Sequence, residues 1–325
     1  MADEAQLSPF VFACQGGLVL DQSTFAMQPG MALELQNFEP DISGGYRRIS
    51  GYAKWNTNIV PQTAASTEPV LMVAHFNSKV IAARGTKIYE AGTTGSWSEI
   101  DTGRTGAGRY TFFRYNLAGT DFIIWADGAN HATKYDGTTL TDINASGAPA
   151  NPKFVTGFKD HLFFAGASST PQQLTFTAPF TDNDFQTSNG AGTIKVDSNI
   201  TGLFPFRDAL FIFCEERIFK LTGSALADFA IQPVTREIGC LNGFTIQEFA
   251  GDIVFLGPDG LRTVAGTERI GDVELGTISR PVQKRFQELT DVDEFTSLVI
   301  PDKTQYRIFF SNAATARAST EGIIC

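Results

Sequence analysis

Along this chain, apolar and polar positions change over every few residues, in bursts of strand length. Residues 202–223, GLFPFRDALFIFCEERIFKLTG, show the unit most clearly. Residues 209–214 are apolar on both faces of an extended chain, which predicts a strand buried on both sides. Residues 217–221 are mixed, with Ile218, Phe219 and Leu221 interrupted by Lys220 and preceded by Arg217. Two such runs around Glu215-Glu216, closed by Thr222-Gly223, predict a hairpin. A lone hairpin is marginal in water and needs neighbours.

The same design recurs. Residues 71–92 hold an apolar run, a Gly85-Thr86 turn, a second run over 87–89 and a closing Gly92. Residues 112–137 hold a strand over 122–125, an Asp127-Gly128 turn, a run over 132–135 and a closing Asp136-Gly137. Residues 155–179 hold strands over 162–165 and 174–176 with a longer connection between them. Residues 246–266 hold runs over 253–256 and 261–264 around a turn at 257–260, and residues 298–312 end in a sixth, partial copy with a strand over 306–310. The closing glycines at 92, 137, 223 and 266 lie 45, 86 and 43 residues apart. The central strands start near Val80, Phe122, Leu162, Leu210 and Ile253, at gaps of 42, 40, 48 and 43.

A unit of two or more strands every ~40–45 residues is the mark of a β-propeller blade. Radial repetition also leaves only short, protected edges. A β-sandwich or tandem barrels would show strand–turn–strand runs too, but have no reason to keep one period through five copies. The expected fold is all-β: one propeller domain of about six blades over residues 1–325. Residues 10–14 and 18–20 flank Gly16-Gly17 as a strand pair, and residues 20–55 read as an irregular first blade or a closing segment. Residues 180–192 predict a long rim loop.

One segment departs from the β pattern. In GTISRPVQKRFQEL, residues 276–289, Ile278, Val282, Phe286 and Leu289 form one helical stripe, which predicts an amphipathic helix over 278–289. Thr277 or Ser279 can cap it, and Pro281 is tolerated in the first turn. The helix is either a packing strap between two blades or a docking face for a neighbouring subunit. Arg280, Gln283, Lys284 and Gln287 on its polar side are candidate subunit-interface residues, together with Arg47 and Arg48.

Composition narrows the chemistry. The formal net charge is −10, which argues against a protein that clamps duplex DNA with Lys and Arg. Charged residues make up only 18%, which fits a surface partly covered by partners. Cys14, Cys214, Cys240 and Cys325 are scattered, with no CxxC pair and no Cys/His cluster, so no zinc site is expected. No nucleophile elbow, zincin motif or phosphate-cradling glycine loop occurs in the sequence. His75 and His161 abut apolar strands and read as structural, while His131 sits in a turn. Asp121, Asp160, Asp208 and Asp252 stand at similar positions of successive repeats, just before or at the start of a central strand. They read either as turn-stabilising residues or as a partial ring of carboxylates for a metal or for hydrolysis. The turn reading is the simpler one, so no catalytic residue, metal or cofactor is expected.

With the repeats laid out, five segments carry a resemblance. MALEL followed by QNFEPDISGGYRRISGY, residues 31–52, resembles the N-terminal pattern of tailed-bacteriophage tail proteins. Residues 126–143 (ADGANHATKYDGTTLTDI), 157–166 (GFKDHLFFAG), 205–223 (PFRDALFIFCEERIFKLTG) and 278–289 (ISRPVQKRFQEL) are similar to segments of virion β-propeller proteins, the nozzle or tail-hub proteins of short-tailed phages. The resemblance spans about residues 17–312, and its motifs are structural. It implies a virion component that forms a ring, commonly a hexamer, at the distal end of the portal–adaptor tube. Such a ring lines the DNA exit channel without gripping DNA and meets a portal- or adaptor-side protein and a fibre or needle protein. Proteins of this kind continue beyond the point where EGIIC, residues 321–325, closes this sequence. The expectation is therefore a longer product, or ring closure by the N-terminal strands. Two other readings stand beside it. One is a host-receptor or carbohydrate-binding tail propeller, with Trp97 and Tyr115 as the rim aromatics. The other is a propeller hydrolase using Asp160 and Asp208.

Overall fold

A computed structural model describes residues 14–41, 43–62, 68–106, 108–265, 277–288, 294–311 and 320–325. The strands predicted over residues 10–14 fall largely outside them. The N-terminal arm carries two short pairs. β1 (Gly17–Leu18) pairs in parallel with β2 (Met31–Ala32), and β3 (Phe38–Pro40) pairs antiparallel with β4 (Tyr46–Arg48). Six antiparallel sheets then follow in succession, and the protein is a six-bladed β-propeller.

Four blades have four strands each. The first is β5 (Val70–Phe76), β6 (Lys79–Arg84), β7 (Lys87–Ala91) and β8 (Ser98–Asp101). The second is β9 (Thr111–Leu117), β10 (Thr120–Ala126), β11 (Ala132–Tyr135) and β12 (Leu140–Ile143). The third is β13 (Phe154–Phe158), β14 (His161–Ala167), β15 (Thr170–Phe176) and β16 (Gly192–Lys195). The fourth is β17 (Ile200–Phe206), β18 (Ala209–Cys214), β19 (Ile218–Thr222) and β20 (Ala230–Thr235). The last two have three strands each: β21 (Gln247–Phe249), β22 (Asp252–Gly257) and β23 (Gly260–Thr263), then β24 (Thr296–Ile300), β25 (Gln305–Ser311) and β26 (Thr320–Ile324). In the third blade the longer connection expected before residue 174 is a two-residue turn at Ser168-Ser169. The strand begins earlier, at Thr170, because its polar first half still pairs.

By its contacts the chain divides into two compact units, residues 52–246 and residues 1–51 with 247–325. The first unit shows why the second strand of each blade is apolar on both faces. Successive side chains of a strand point to opposite sides. On β10, Ile123 and Trp125 join the core shared with the first blade, beside Met72, Ile81 and Ile88. Ile124 and Ala126 join the next core, beside Val155, Leu162 and Phe164 of the third blade. On β14, Phe163 and Ala165 then turn toward Leu210, Ile212 and Leu221 of the fourth. The second and third blades are thus each the filling between two others. Neighbouring first strands run side by side in the same direction: the Tyr110 amide donates to the Leu71 carbonyl at 3.2 Å, and Thr111 Oγ1 donates to the Lys153 carbonyl at 2.8 Å.

In the second unit, the predicted helix is shorter than 278–289. A 3-10 turn over Arg280–Val282 leads into one and a half turns of α-helix, α1 (Gln283–Gln287). Leu289 lies outside the described residues. Val282 and Phe286 are buried as the stripe requires, but Ile278 is 47% exposed. The cause is the edge of the fifth blade at β23, the last of its three strands among the described residues. Ile278 lies in a turn, where its amide donates to the Leu261 carbonyl at 3.0 Å. The Ser279 hydroxyl accepts the Leu261 amide at 3.0 Å instead of capping the helix. The turn thereby satisfies the carbonyl and amide of Leu261 on β23.

Candidate functional site: polar locks and exposed faces

The most heavily built polar centre of the second unit surrounds Glu39. Its side chain is fully buried. Arg47, its cross-strand partner in the β3–β4 pair, places Nε 3.2 Å from Oε1. Lys303 Nζ reaches both carboxylate oxygens at 2.8 and 2.9 Å, and Arg307 Nη2 donates to Oε2 at 2.7 Å. Gln305 Nε2 donates to the Pro40 carbonyl at 3.1 Å, while its Oε1 accepts from Arg307. Gln305 and Arg307 stand two apart on β25 and meet β3 on one side, while Lys303 reaches it from the 3-10 turn over Pro301–Lys303 that precedes the strand. The hydrogen bond from Lys303, followed by the nearby cations, holds the Glu39 carboxyl below its ordinary value of 4.5. A buried carboxylate is tolerable only when charges and donors surround it in this way.

This geometry gives some of the candidate interface residues partners within the chain. Arg47 is spent within the chain on Glu39 and, at 3.5 Å, on Asp41. Arg48 is exposed. On the helical segment, Arg280, Lys284 and Gln287 are exposed as expected. Gln283 is not on that face: its Oε1 is buried, close beside Gly260 at the blade edge. The residue that ties α1 to the sixth blade is one that sequence reading passed over. Arg285 binds Glu321 and, at 3.3 Å, Glu288, and lies 5.9 Å from the Phe310 ring centre. Its only sequence signal was a third cation on a helix that already had two.

In the first unit the corresponding lock is Arg104. Its side chain is 6% exposed and every nitrogen is engaged. Nε donates to the Tyr110 hydroxyl at 3.1 Å, and Nη1 to Asp101 at 2.8 Å and Thr133 at 3.1 Å. Nη2 donates to Asp127 and to the His131 carbonyl, both at 3.4 Å. Burial pushes the Tyr110 hydroxyl up to about 12. Asp127, also buried, accepts the amides of Ala129 and Asn130 at 3.0 and 2.8 Å, the predicted Asp-Gly turn. A polar cleft of about 450 Å³ opens beside this lock, lined by Asp101, Asn130, His131, Asp142 and Asn151 among others.

The four repeat aspartates do not share one position. Asp160 and Asp208 are second residues of two-residue turns, Asp252 is the first residue of β22, and Asp121 the second of β10. Asp252 Oδ1 accepts the Ile253 amide at 2.7 Å, and Asp121 accepts from Asn116 at 2.6 Å. The Asp208 side chain is 99% exposed. Among the described residues, no group of three or more His, Cys, Asp or Glu is placed to hold a metal. His161 is buried against Phe163, Phe176 and Phe229, with Nδ1 2.6 Å from the Thr177 carbonyl. His75 lies on an exposed first-strand face, its Nδ1 3.4 Å from Arg114. Trp97 and Tyr115 are both half-buried and donate to the carbonyls of Asn58 (3.0 Å) and Asp160 (3.1 Å). The freely exposed aromatics are instead Tyr52, at 97%, and Phe25, at 100%.

No protein-family model and no curated protein matches the chain. Among solved structures, it is similar to the extracellular domain of the putative one component system BT4673 from B. thetaiotaomicron, at 15% identity and a TM-score of 0.53. That alignment covers 84% of this chain and 36% of the other, so the chain spans about a third of its neighbour. The AfRom2 CNH domain aligns at 8% identity and a TM-score of 0.48, over 80% of this chain and 85% of that one. The Neurospora crassa Pan2 WD40 domain aligns at 11% identity and a TM-score of 0.41, over 60% and 61%. At such identities the likeness speaks for the propeller fold alone.

Proposed function

We propose that this propeller is a structural component of a bacteriophage tail, a nozzle or hub subunit that assembles with its own copies into a ring around the DNA exit path. One observation carries the reading: the segments that resemble phage virion propellers are the joints of the fold. Residues 31–52 contain Glu39 and Arg47, halves of the arm's lock on the sixth blade. Residues 126–143 contain Asp127 and Thr133, both partners of Arg104. Residues 157–166 and 205–223 are blade hairpins, and 278–289 close the fifth blade's edge. What supports the reading is that the resembling segments include polar joints of the fold as well as blade hairpins.

The surface agrees with a covered subunit. Tyr52, Ile59, Val73, Phe112 and Phe180 are large apolar side chains left in solvent, at 97, 72, 63, 42 and 67%. Val73 and Phe112 stand on neighbouring first strands, between the Leu71–Tyr110 and His75–Arg114 contacts. The net charge of −10 suits a wall that lets phosphate pass, because repulsion opposes the contacts of non-specific binding. The test is immunogold electron microscopy of tailed-phage particles from the source culture, using antibody raised against the chain. Gold at the tail vertex is the expected result. Particles free of the protein would overturn the reading, and gold confined to peripheral fibres would replace it with receptor binding.

A further inference from the structure

We propose that the N-terminal arm is an exchange arm: in the assembled ring, the arm of one copy seats Glu39 on Lys303 and Arg307 of a second copy. This rests on the ring reading above and adds the contact that closes it. Three observations point there.

The arm is barely part of the core. Among the described residues 14–48, only Val19, Gly30 and Glu39 are buried. Phe25, Leu33 and Phe38 are 100, 52 and 41% exposed. Its attachment is a small set of polar contacts: Glu39 on Lys303 and Arg307, the Pro40 carbonyl on Gln305, and the Leu20 amide on the Pro281 carbonyl at 2.7 Å. Contacts of this kind specify a seat without depending on which copy supplies the arm.

The arm is also joined by a chain built to reach. The Ile49 amide is fixed to the Asn37 carbonyl at 2.9 Å, and Asn56 is fixed by its side chain to the Gly92 and Gly95 carbonyls. Between them, residues 50–55 form no strand or helix and are all exposed. Six residues extend to roughly 20 Å, a reach that lets the arm leave its own seat.

Finally, the seat and the arm are two different surfaces. A contact between two different surfaces, passed from copy to copy, is heterologous and generates a ring when the rotation closes. Exchanging an existing contact creates a ring without any new interface, which is why swapping is a low-cost route to assembly. The charges enforce the match: Glu39 is the one carboxylate that meets both Lys303 and Arg307 among the described ion pairs.

The experiment places cysteines beside the lock without touching it. Pro40→Cys and Asp302→Cys are combined in the full chain, with Cys14 and Cys325 changed to Ser. Both positions are exposed. A short bismaleimide is added, and denaturing gels are read beside native mass. Covalent species larger than one chain, lost when Glu39→Lys is added, are the expected result. Cross-links confined to single chains within an intact ring would overturn the exchange and leave the ring reading standing. Single-chain cross-links in a protein of monomer mass would overturn both. Folded protein with no cross-link would mean the arm is not seated there, and equally ends the proposal.

Discussion

In the unit formed by residues 52–246, a strand such as β10 sends Ile123 and Trp125 into one core and Ile124 and Ala126 into the next. In the unit formed by residues 1–51 and 247–325, the blades show three strands each among the described residues, and what covers an edge or seats the arm is a side chain: Ser279 on Leu261, Arg285 on Glu321, Glu39 on Lys303 and Arg307. Apolar packing between full blades is insensitive to pH and salt and tolerates drift in sequence. Polar closure is specific, directional and reversible. A part that must keep its shape while its ends find partners gains from this division.

The largest effect should come from the Arg104 lock, where the first unit buries a charge deeply. Arg104→Met leaves Asp127 buried without its cation, a loss of about 3–5 kcal/mol. Trp55, Trp97 and Trp125 all lie in that unit, so tryptophan fluorescence during denaturation reads it selectively. Arg104→Lys keeps the charge but not the planar fork, and should fall between the two. A midpoint for Arg104→Met within error of the parent would mean that apolar packing alone holds these blades.

Glu39→Gln should act next, and only on the other unit. The variant gives up the hydrogen bonds of two cations to a carboxylate, each worth about 1.5–3 kcal/mol, so cleavage of the arm by a protease should speed up at least about tenfold. Trp fluorescence should not move. The same lock predicts a pH dependence. The Glu39 carboxyl is held below its ordinary 4.5 chiefly by Lys303, so its contribution is fully present above that value and is lost as pH falls beneath it. Opening of the arm, read as hydrogen exchange divided by the intrinsic amide rate at each pH, should rise on acidification below about 4.5 in the parent. It should already be high, and flatter with pH, in Glu39→Gln.

This contrast also marks where the sequence could be read. The central strands were legible because burial on both sides leaves a continuous apolar run, and β10, β14, β18 and β22 begin within two residues of the counted positions. The Asp127-Gly128 turn and the hairpin at Glu215-Glu216 were legible because turn chemistry is local. The locks were not. Glu39 and Lys303 stand 264 residues apart, and nothing local distinguishes a glutamate that will be buried from one that will be solvated. The helix was overdrawn for the same reason. Ile278 fits a helical stripe and Ser279 a cap, but a strand edge at Leu261 competes for their amide and hydroxyl and wins. Gln283 therefore turns toward the blade edge, and Arg285, which carried no reading of its own, ties the helix to Glu321.

Thiol labelling separates the two regions on a finer scale. Burial, with the nearby Asp197 charge adding to it, pushes the Cys214 thiol up to about 12, and the side chain sits in the core between the third and fourth blades. At pH 8 almost none of it is thiolate, so maleimide should leave it unmodified in the folded protein. Cys14, exposed at the start of the arm, should react within minutes. Mass spectrometry of digests after timed quenching gives both rates. Comparable rates would mean that the core of the first unit opens as freely as the arm, and the division between the regions would fail.

The smallest effect should come from the residues that look most chemical in the sequence. Asp160 and Asp208 stand in the connection between the first and second strands of their blades, where five of the six turns are two residues long. Both turn residues have φ > 0 in four of these: Asn77-Ser78, Ala118-Gly119, Lys159-Asp160 and Ala250-Gly251. That is the type I′ requirement, which Asp, Asn and Gly meet at least cost. Asp208 faces Lys159 at 3.5 Å, but with the carboxylate 99% exposed the pair is screened by water and should contribute nothing measurable. Asp160→Asn and Asp208→Asn, together, should therefore leave the denaturation midpoint and the assembly unchanged. A carboxylate ring built for hydrolysis or metal binding would respond to the loss of two charges with lost turnover or lost metal affinity. A change in either would return these residues from turn grammar to chemistry, and with them the reading of the whole propeller as a scaffold.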